Sequence, residues 1–413
     1  MAGDLQPIAR LDASSHVVVV GAGLAGWRLV EALRRDGYRG AVTVIGDERH
    51  QPYDRPPLSK QVLAGVVALD DTTLVHPGSP HDVTWRLGVA ATGLDVERRE
   101  VQLAGGERVA ATHIAIATGT RARRLATTAG ERVHALRTID DVTSLNADLA
   151  RVVPGATVAI IGGGFIGAEV ATSLTKRGYR AIVLEVAARP LLTVLGAEVS
   201  SWLEGLAMAA GVELRSSQQI KDVVVEGDAL RLRIDGAEDV VASVVIAGVG
   251  AIPNVDWLVD SGLRLDNGVV VDGALQAAPG IAAIGDVARF AWSGPVGSSV
   301  ARMEHWQVAN DHAATLARAW LTGEHDAGVL VPYFWSDQYG KKIQMLGHPD
   351  PTDDVTRVHG DLETGRWLAL YHRGGVVTGI VALSSPRALM LAKALLERPT
   401  SVVEAIERAP WAS

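Results

Sequence analysis

The sequence predicts an α/β protein followed by an α+β segment, and three observations carry that reading. The run Gly21-Ala22-Gly23-Leu24-Ala25-Gly26 comes directly after the apolar stretch 17–20, and Gly162-Gly163-Gly164-Phe165-Ile166-Gly167 comes directly after the apolar stretch 158–161. Each is a G-x-G-x-x-G turn between a strand and a helix, the context in which backbone N–H groups approach a pyrophosphate. Beyond Pro332 the texture changes to short alternating segments. Two Rossmann-like dinucleotide-binding domains and an α+β C-terminal domain are therefore expected.

The elements follow in order. Residues 17–20 are a β-branched run of the kind buried in parallel sheets. A helix is expected over 26–35, with Trp27, Val30 and Leu33 at helical spacing, Gly37 as its stop and 41–45 as the next strand. Residues 114–117 form another short strand, closed by Thr118-Gly119. The second unit repeats the pattern: strand 157–161, helix 167–177, stop at Gly178, strand 181–184. Asp235-Gly236 separates strand-like runs at 230–234 and 239–246, the second of which enters Gly248-Val249-Gly250-Ala251-Ile252-Pro253-Asn254. A further apolar run over 280–284 ends in Gly285-Asp286. The C-terminal part reads as strands at 367–371 and 376–381, then a helix over 386–396. The two halves share a folding unit but no sequence period.

Bulk composition narrows the function. At 413 residues the chain suits two or three domains. A net charge of −8, with no basic arm, argues against nucleic acid as the main partner. No apolar run approaches the ~20 residues that span a bilayer, and the first fifteen residues lack the pattern of a signal peptide. A cytoplasmic protein without membrane partners is expected. The chain has no cysteine, so it can form no disulfide, Cys-ligated zinc or Fe–S cluster of its own, and no metal is expected. Lysines are few (Lys60, Lys176, Lys221, Lys341, Lys342 and Lys393), which singles out Lys60 in a chain whose usual cation is Arg.

An acidic residue about 20 positions past each glycine turn accepts hydrogen bonds from ribose hydroxyls. Asp47, with Glu48 beside it, follows the first turn, and Glu185 follows the second. A carboxylate there repels a 2′-phosphate, so Glu185 favours NADH over NADPH; Arg189 is read as an ordinary surface cation. Glu169 is expected in the first turn of the second nucleotide helix, where the dipole stabilises an exposed carboxylate by about 0.3–1 kcal/mol.

The segment Pro52-Tyr53-Asp54-Arg55-Pro56-Pro57-Leu58-Ser59-Lys60 makes the sequence specific. Together with Ala117-Thr118-Gly119, Glu169, Gly250 and Pro253-Asn254, Gly285-Asp286, Arg302-Met303-Glu304 and Phe334-Trp335-Ser336-Asp337-Gln338, it resembles the flavoprotein ferredoxin reductases of cytochrome P450 and Rieske oxygenase systems. The resemblance runs from Val17 to about Val381 and implies a glutathione-reductase-like fold. An FAD domain would occupy 1–122 and 250–328, an NAD domain 123–249, and an interface domain 329–413. It implies that Gly21, Gly23, Leu24, Ala25, Gly26, Asp47 and Glu48 hold FAD, with Arg55, Ala91, Ala117, Thr118, Gly119, Arg137, Gly250, Gly285, Asp286, Glu304, His305 and Trp306 contributing. Gly162, Gly164, Phe165, Ile166, Gly167 and Glu185 would hold NADH. Lys60 would pair with Glu169 beside the flavin, Glu169 would meet the nicotinamide, and Trp335 would lie near the flavin and the electron exit. His305 carries no expected catalytic role.

Without cysteine, the thiol routes used by disulfide reductases and peroxidases of this fold are closed. The electrons must leave to another protein. The resemblance implies an NADH:ferredoxin oxidoreductase using FAD and handing electrons singly to a ferredoxin. A rubredoxin reductase, or an apoptosis-inducing-factor-like flavoprotein that organises partners, are the alternatives. A basic docking patch is expected from Arg289, Arg302, Lys341, Lys342 and Arg373, in a monomer or a homodimer.

Overall fold

The computed structural model describes residues 8–324 and 330–412. Expectations that fall on other residues, including the 328/329 boundary, lie outside them. The chain divides into two compact units: Met1–Asp54, Thr73–Arg121 and Ile252–Tyr333 form the first, and Arg55–Thr72, Ala122–Ala251 and Phe334–Ser413 the second. The segment Arg55–Thr72, which carries Lys60, belongs to the second of these units.

The first unit is built on a six-stranded sheet in the order Gln276–Ala278, Ile281–Ala283, His113–Ile116, His16–Val20, Ala41–Gly46, Thr84–Leu87. All neighbours are parallel except the first pair. The central strands are buried on both faces, which their unbroken Val/Ile runs require. The helix Leu24–Arg35 starts two residues before its expected position, inside the glycine turn. It buries Trp27, Leu29, Val30 and Leu33 completely, worth about 1.5–3 kcal/mol each, and packs against the helix Trp306–Thr322. A three-stranded antiparallel sheet, Ala91–Asp95, Glu100–Leu103 and Arg108–Ala110, lies in the same unit and places Ala91 opposite Leu103.

The second unit repeats the motif in a five-stranded parallel sheet, ordered Glu213–Arg215, Arg180–Leu184, Thr157–Ile161, Val244–Ala247, Val133–Ala135. The single strand expected over 239–246 is instead two. Val240–Ala242 pairs antiparallel with Ala229–Ile234, and Val244–Ala247 joins the parallel sheet. Ser243 is the turning point, its N–H donated to Thr157 O at 2.9 Å. The change of sheet is concealed because apolar residues flank Ser243 on both sides, although Val241 is exposed in the first strand and the second strand is buried throughout.

The C-terminal segment forms a five-stranded antiparallel sheet, Tyr333–Gln338, Lys341–Gly347, Val376–Leu383, Arg366–Arg373, Asp354–Asp361. Its helix stops at Pro386–Ala392 and tightens to a 3-10 turn over Lys393–Leu396. One sheet face is covered by Leu195, Val199 and Leu203 of the helix Leu192–Ala209, packed on Ile343, Trp367, Tyr371 and Val381. That helix is broken at Gly196, where φ is +72° and a Cβ would come within 2.4 Å of Pro351 O. Tyr371 Oη donates to Leu195 O beside the break at 2.7 Å, and burial pushes the Tyr371 phenol upward.

Candidate functional site

Both glycine turns are cradles that side chains would fill. At Gly21, φ is +123° and a Cβ would lie 2.1 Å from Ala117 O; at Gly162, φ is +105° and a Cβ would lie 2.5 Å from Gly248 O. Cβ atoms on Gly26 and Gly167 would strike the carbonyls of Gly21 and Gly162 at 2.1 and 2.0 Å, so only glycine lets each helix approach its turn. Gly23 and Gly164, by contrast, face open space. They are the N-caps of the helices Leu24–Arg35 and Phe165–Lys176, neither of which has a side-chain cap. The first-turn N–H groups of Leu24, Ala25, Phe165 and Ile166 are thereby available to a phosphate. The arrangement fits two dinucleotides.

The strand ends differ. Glu185 follows Leu184, the partner of Ile161, and its carboxylate accepts the N–H of Gly163 at 2.6 Å and of Ala187 at 2.7 Å. The register-equivalent residue in the first unit is Gly46, next after Ile45, the partner of Val20. A Cβ on Gly46 would come 2.7 Å from Ala22 Cβ, so the carboxylate is displaced to Asp47. Asp47 is exposed and accepts the Glu48 N–H at 3.0 Å, while Glu48 accepts from Tyr53 Oη at 2.5 Å. Arg189 pairs with Glu204 at 3.3 Å, in keeping with a surface cation.

Two other predicted loops of the first unit abut this turn and its helix, Ala117-Thr118-Gly119 and Gly285-Asp286. Thr118 Oγ1 donates to Asn254 O at 2.8 Å and Asn254 Nδ2 returns a bond to Thr118 O at 2.9 Å, which fixes the Ala117-Thr118-Gly119 loop. Gly285, at φ +69°, would press a Cβ to within 2.8 Å of Ala25 Cβ, so the Gly285-Asp286 turn abuts the nucleotide helix. His305 is the N-cap of Trp306–Thr322, Glu304 pairs with Arg302 at 2.5 Å, and Trp306 Nε1 donates to Asp54 Oδ1 at 2.8 Å. His312 was missed from sequence. It is 4% exposed, and its Nδ1 accepts the Gly285 N–H at 3.2 Å. Burial pulls it down to about 4, against a smaller opposing pull from Asp286. A lone histidine on a helix gave no signal that it faces this turn.

In the second unit, Pro56-Pro57 leads into a π-helical turn, Leu58–Val62, that contains Lys60. Lys60 Nζ lies 2.8 Å from Glu169 Oε2 and donates to Pro56 O at 3.1 Å. Glu169 does not occupy the first helical turn as expected: the helix begins at Phe165, two residues early, which puts Glu169 in the second turn at 3% exposure. The dipole role therefore gives way to a buried ion pair. Ser59 Oγ and Ser336 Oγ each donate to Glu169 at 2.5 Å, two partners that only tertiary structure reveals. Arg55 Nη1 donates to Arg137 O at 2.8 Å, which brings these two predicted residues together. Gly250 has φ +98°, and its carbonyl accepts the Arg123 N–H at 2.9 Å. Phe165 packs on Phe334 with centroids 4.4 Å apart; Trp335 is half-buried on the same edge strand.

Each cation named for the docking patch has a partner of its own. Arg289 pairs with Asp266 at 3.3 Å, Arg302 with Glu304, Lys342 with Asp337 at 3.5 Å and Arg373 with Asp353 at 2.7 Å, while Lys341 donates to Thr364 O at 3.1 Å. Neighbouring acids neutralise most of these cations, which sequence order does not reveal.

Residues 15–313 match the pyridine nucleotide-disulphide oxidoreductase family, and residues 333–410 match a reductase C-terminal family. Rhodocoxin reductase of Rhodococcus erythropolis is 33% identical over 92% of this chain and 89% of its own. The ferredoxin–NAD(+) reductase subunit of the benzene 1,2-dioxygenase system of Pseudomonas putida is 34% identical over 93% of each chain. The solved covalent complex of putidaredoxin reductase with putidaredoxin contains a chain that superposes with a TM-score of 0.89 at 29% identity, covering 97% of this chain and 100% of that one.

Proposed function

The chain belongs to the pyridine nucleotide-disulphide oxidoreductase family, and from that premise we propose that it is an FAD-containing NADH:ferredoxin oxidoreductase serving a cytochrome P450 or Rieske oxygenase. The carrying observation is the coexistence of two intact dinucleotide cradles with a chain that has no cysteine. FAD, when bound, accepts a hydride from NADH and releases the two electrons one at a time, as a single-electron iron–sulfur acceptor demands. The relatives' names, which include ferredoxin reductases of dioxygenase systems, support the same acceptor class.

In this reading the turn 21–26 holds the FAD pyrophosphate on the N–H groups of Leu24 and Ala25, and Asp47 holds the adenosine ribose. Asp286, on a turn set against Ala25, adds the second segment's contact. The turn 162–167 and Glu185 hold NADH. Glu185 already gathers two N–H donors and sits where a 2′-phosphate would fall, so NADPH is disfavoured. Lys60 supplies a fixed cation and Glu169 an acceptor for the nicotinamide carboxamide. Trp335 lines the electron exit. The cytoplasm, where NADH is maintained, is the compartment this chemistry suits.

The test is direct. The purified protein should be yellow and release FAD on denaturation. NADH should bleach the flavin anaerobically, faster than NADPH. Cytochrome c reduction should require an added [2Fe–2S] ferredoxin. A colourless protein that takes up no FAD refutes the assignment. A rubredoxin that outperforms every ferredoxin moves the acceptor to the alternative class.

A further inference from the structure

The motif Trp335-Ser336-Asp337-Gln338-Tyr339 does more than supply an aromatic side chain. Ser336 is fully buried, and its Oγ lies 2.5 Å from Glu169 Oε1. Gln338 Nε2, also buried, donates to the same Ser336 Oγ at 3.1 Å. A hydroxyl that receives an amide hydrogen keeps its own hydrogen to give, so Gln338 aims the Ser336 O–H at Glu169. The other carboxylate oxygen takes Ser59 Oγ and Lys60 Nζ. A carboxylate offers about four acceptor positions. Three are filled among the described residues, which leaves one position on Oε1.

We propose that Ser336, oriented by Gln338, is a positioning residue for hydride transfer: it locks the Glu169 carboxylate so that its one free acceptor site on Oε1 receives the carboxamide N–H of the nicotinamide. The proposal rests on the reading that Glu169 meets the nicotinamide. It assigns the C-terminal strand a part in the reductive half-reaction, beyond contact with an electron acceptor. The strand is docked separately on the same helix, where the Tyr339 N–H donates to Thr172 Oγ1 at 2.8 Å. Docking and positioning therefore use different bonds and can be cut independently. Hydride transfer is sensitive to misplacement on the ångström scale, so loss of one hydrogen bond to a charged group is expected to act on rate more than on affinity.

The experiment is anaerobic stopped-flow reduction of the FAD-loaded protein by NADH, which separates the limiting rate of flavin bleaching from the NADH dissociation constant. Ser336→Ala should lower the limiting rate about 10- to 100-fold, with the dissociation constant changed less than about threefold. Ser336→Thr, which keeps the hydroxyl, should recover the rate to within about threefold of the unaltered protein. Gln338→Met should move the rate in the same direction as Ser336→Ala and keeps the test open if that variant fails to fold. Thr172→Val should leave the rate unchanged. The proposal is overturned if Ser336→Ala and Gln338→Met both reduce at the normal rate, or if Thr172→Val slows reduction as much as Ser336→Ala. If NADH does not bleach the unaltered protein, the parent reading falls and this one with it.

Discussion

His312 links the pH to the stability of the first unit. Its ring is sealed between the Gly285 turn and Phe290, whose ring meets it edge to face with centroids 4.5 Å apart. Nδ1 must stay unprotonated to accept the Gly285 N–H. In the folded chain the group titrates near 4, mainly through burial, against 6.5 for an ordinary histidine. Asp286 is the charged group that opposes this shift. The unfolded chain thus binds a proton that the folded chain refuses at every pH between these values, and stability rises with pH across that window. The contribution is complete above 6.5 and is lost as the pH falls towards 4. The full span of about 2.5 pH units corresponds to about 3 kcal/mol, of which about 2 kcal/mol is lost between pH 7.5 and 5.

The assay is urea unfolding of the FAD-saturated protein, followed by tryptophan fluorescence at pH 7.5 and 5.0. His312→Gln can accept the Gly285 N–H through its amide oxygen but does not titrate. Its loss of stability over that interval should be smaller than the unaltered protein's by about 2 kcal/mol. His113, also pulled down by burial, steepens both curves alike and drops out of the difference. Parallel pH curves for the two proteins would refute the assignment to His312.

Glu185→Ala should raise the NADH Michaelis constant by about 10-fold or more, the loss of hydrogen bonds to a charged group, with FAD content unchanged; loss of FAD on gel filtration would reverse the assignment of the two cradles. Lys60→Ala should slow flavin reduction in stopped flow, and it also leaves Glu169 buried without its cation, at a cost of about 3–5 kcal/mol. Most of that stability should return in the double variant Lys60→Met/Glu169→Leu, while flavin reduction stays slow; a stable Lys60→Ala single variant would contradict the ion-pair account. Gly196→Ala, with φ at +72° and Pro351 O in the way, should lower unfolding stability by at least about 2 kcal/mol. Calorimetry showing an unchanged transition would mean that the helix can straighten at no cost.

The glycine turns, the strands before them and the helices after them were legible because each imposes a local steric demand that few residues meet. Gly21 and Gly162 must adopt positive φ against a carbonyl, and the Val/Ile runs must be buried on both faces. Helix starts were read two residues late because the capping glycines look like turn residues and contribute no side chain. The division of 239–246 between two sheets was hidden because valine and alanine stand on both sides of Ser243, which alone marks the turn. At the site, Lys60 and Glu169 stood out by residue type and motif, whereas Ser59, Ser336 and Gln338 lay in the same motifs without an expected role. Serine and glutamine are common surface residues, and their roles come from being buried beside a carboxylate that lies far away in the sequence. The named cations show the complementary case: single charges are visible in sequence, and acidic partners such as Asp266 for Arg289 and Asp353 for Arg373 are distributed by the fold.

A size exchange separates the two otherwise similar cradles. In the first, the middle of the turn is Ala22 and the strand ends in Gly46; in the second, the turn has Gly163 and the strand ends in Glu185. Each pair fits one side chain between turn and strand end. A Cβ on Gly46 would come 2.7 Å from Ala22 Cβ, and a Cβ on Gly163 would come 3.0 Å from Glu185 Oε2. Where the turn carries the methyl group, the acid must move on by one residue, to Asp47. Where the turn carries only hydrogen, the carboxylate folds back over it and takes the Gly163 N–H. The two sites therefore present their carboxylates from different backbone positions. The glycine pattern alone, being the same in both, does not tell the two cradles apart; the residue inside the turn and the residue at the strand end do so together.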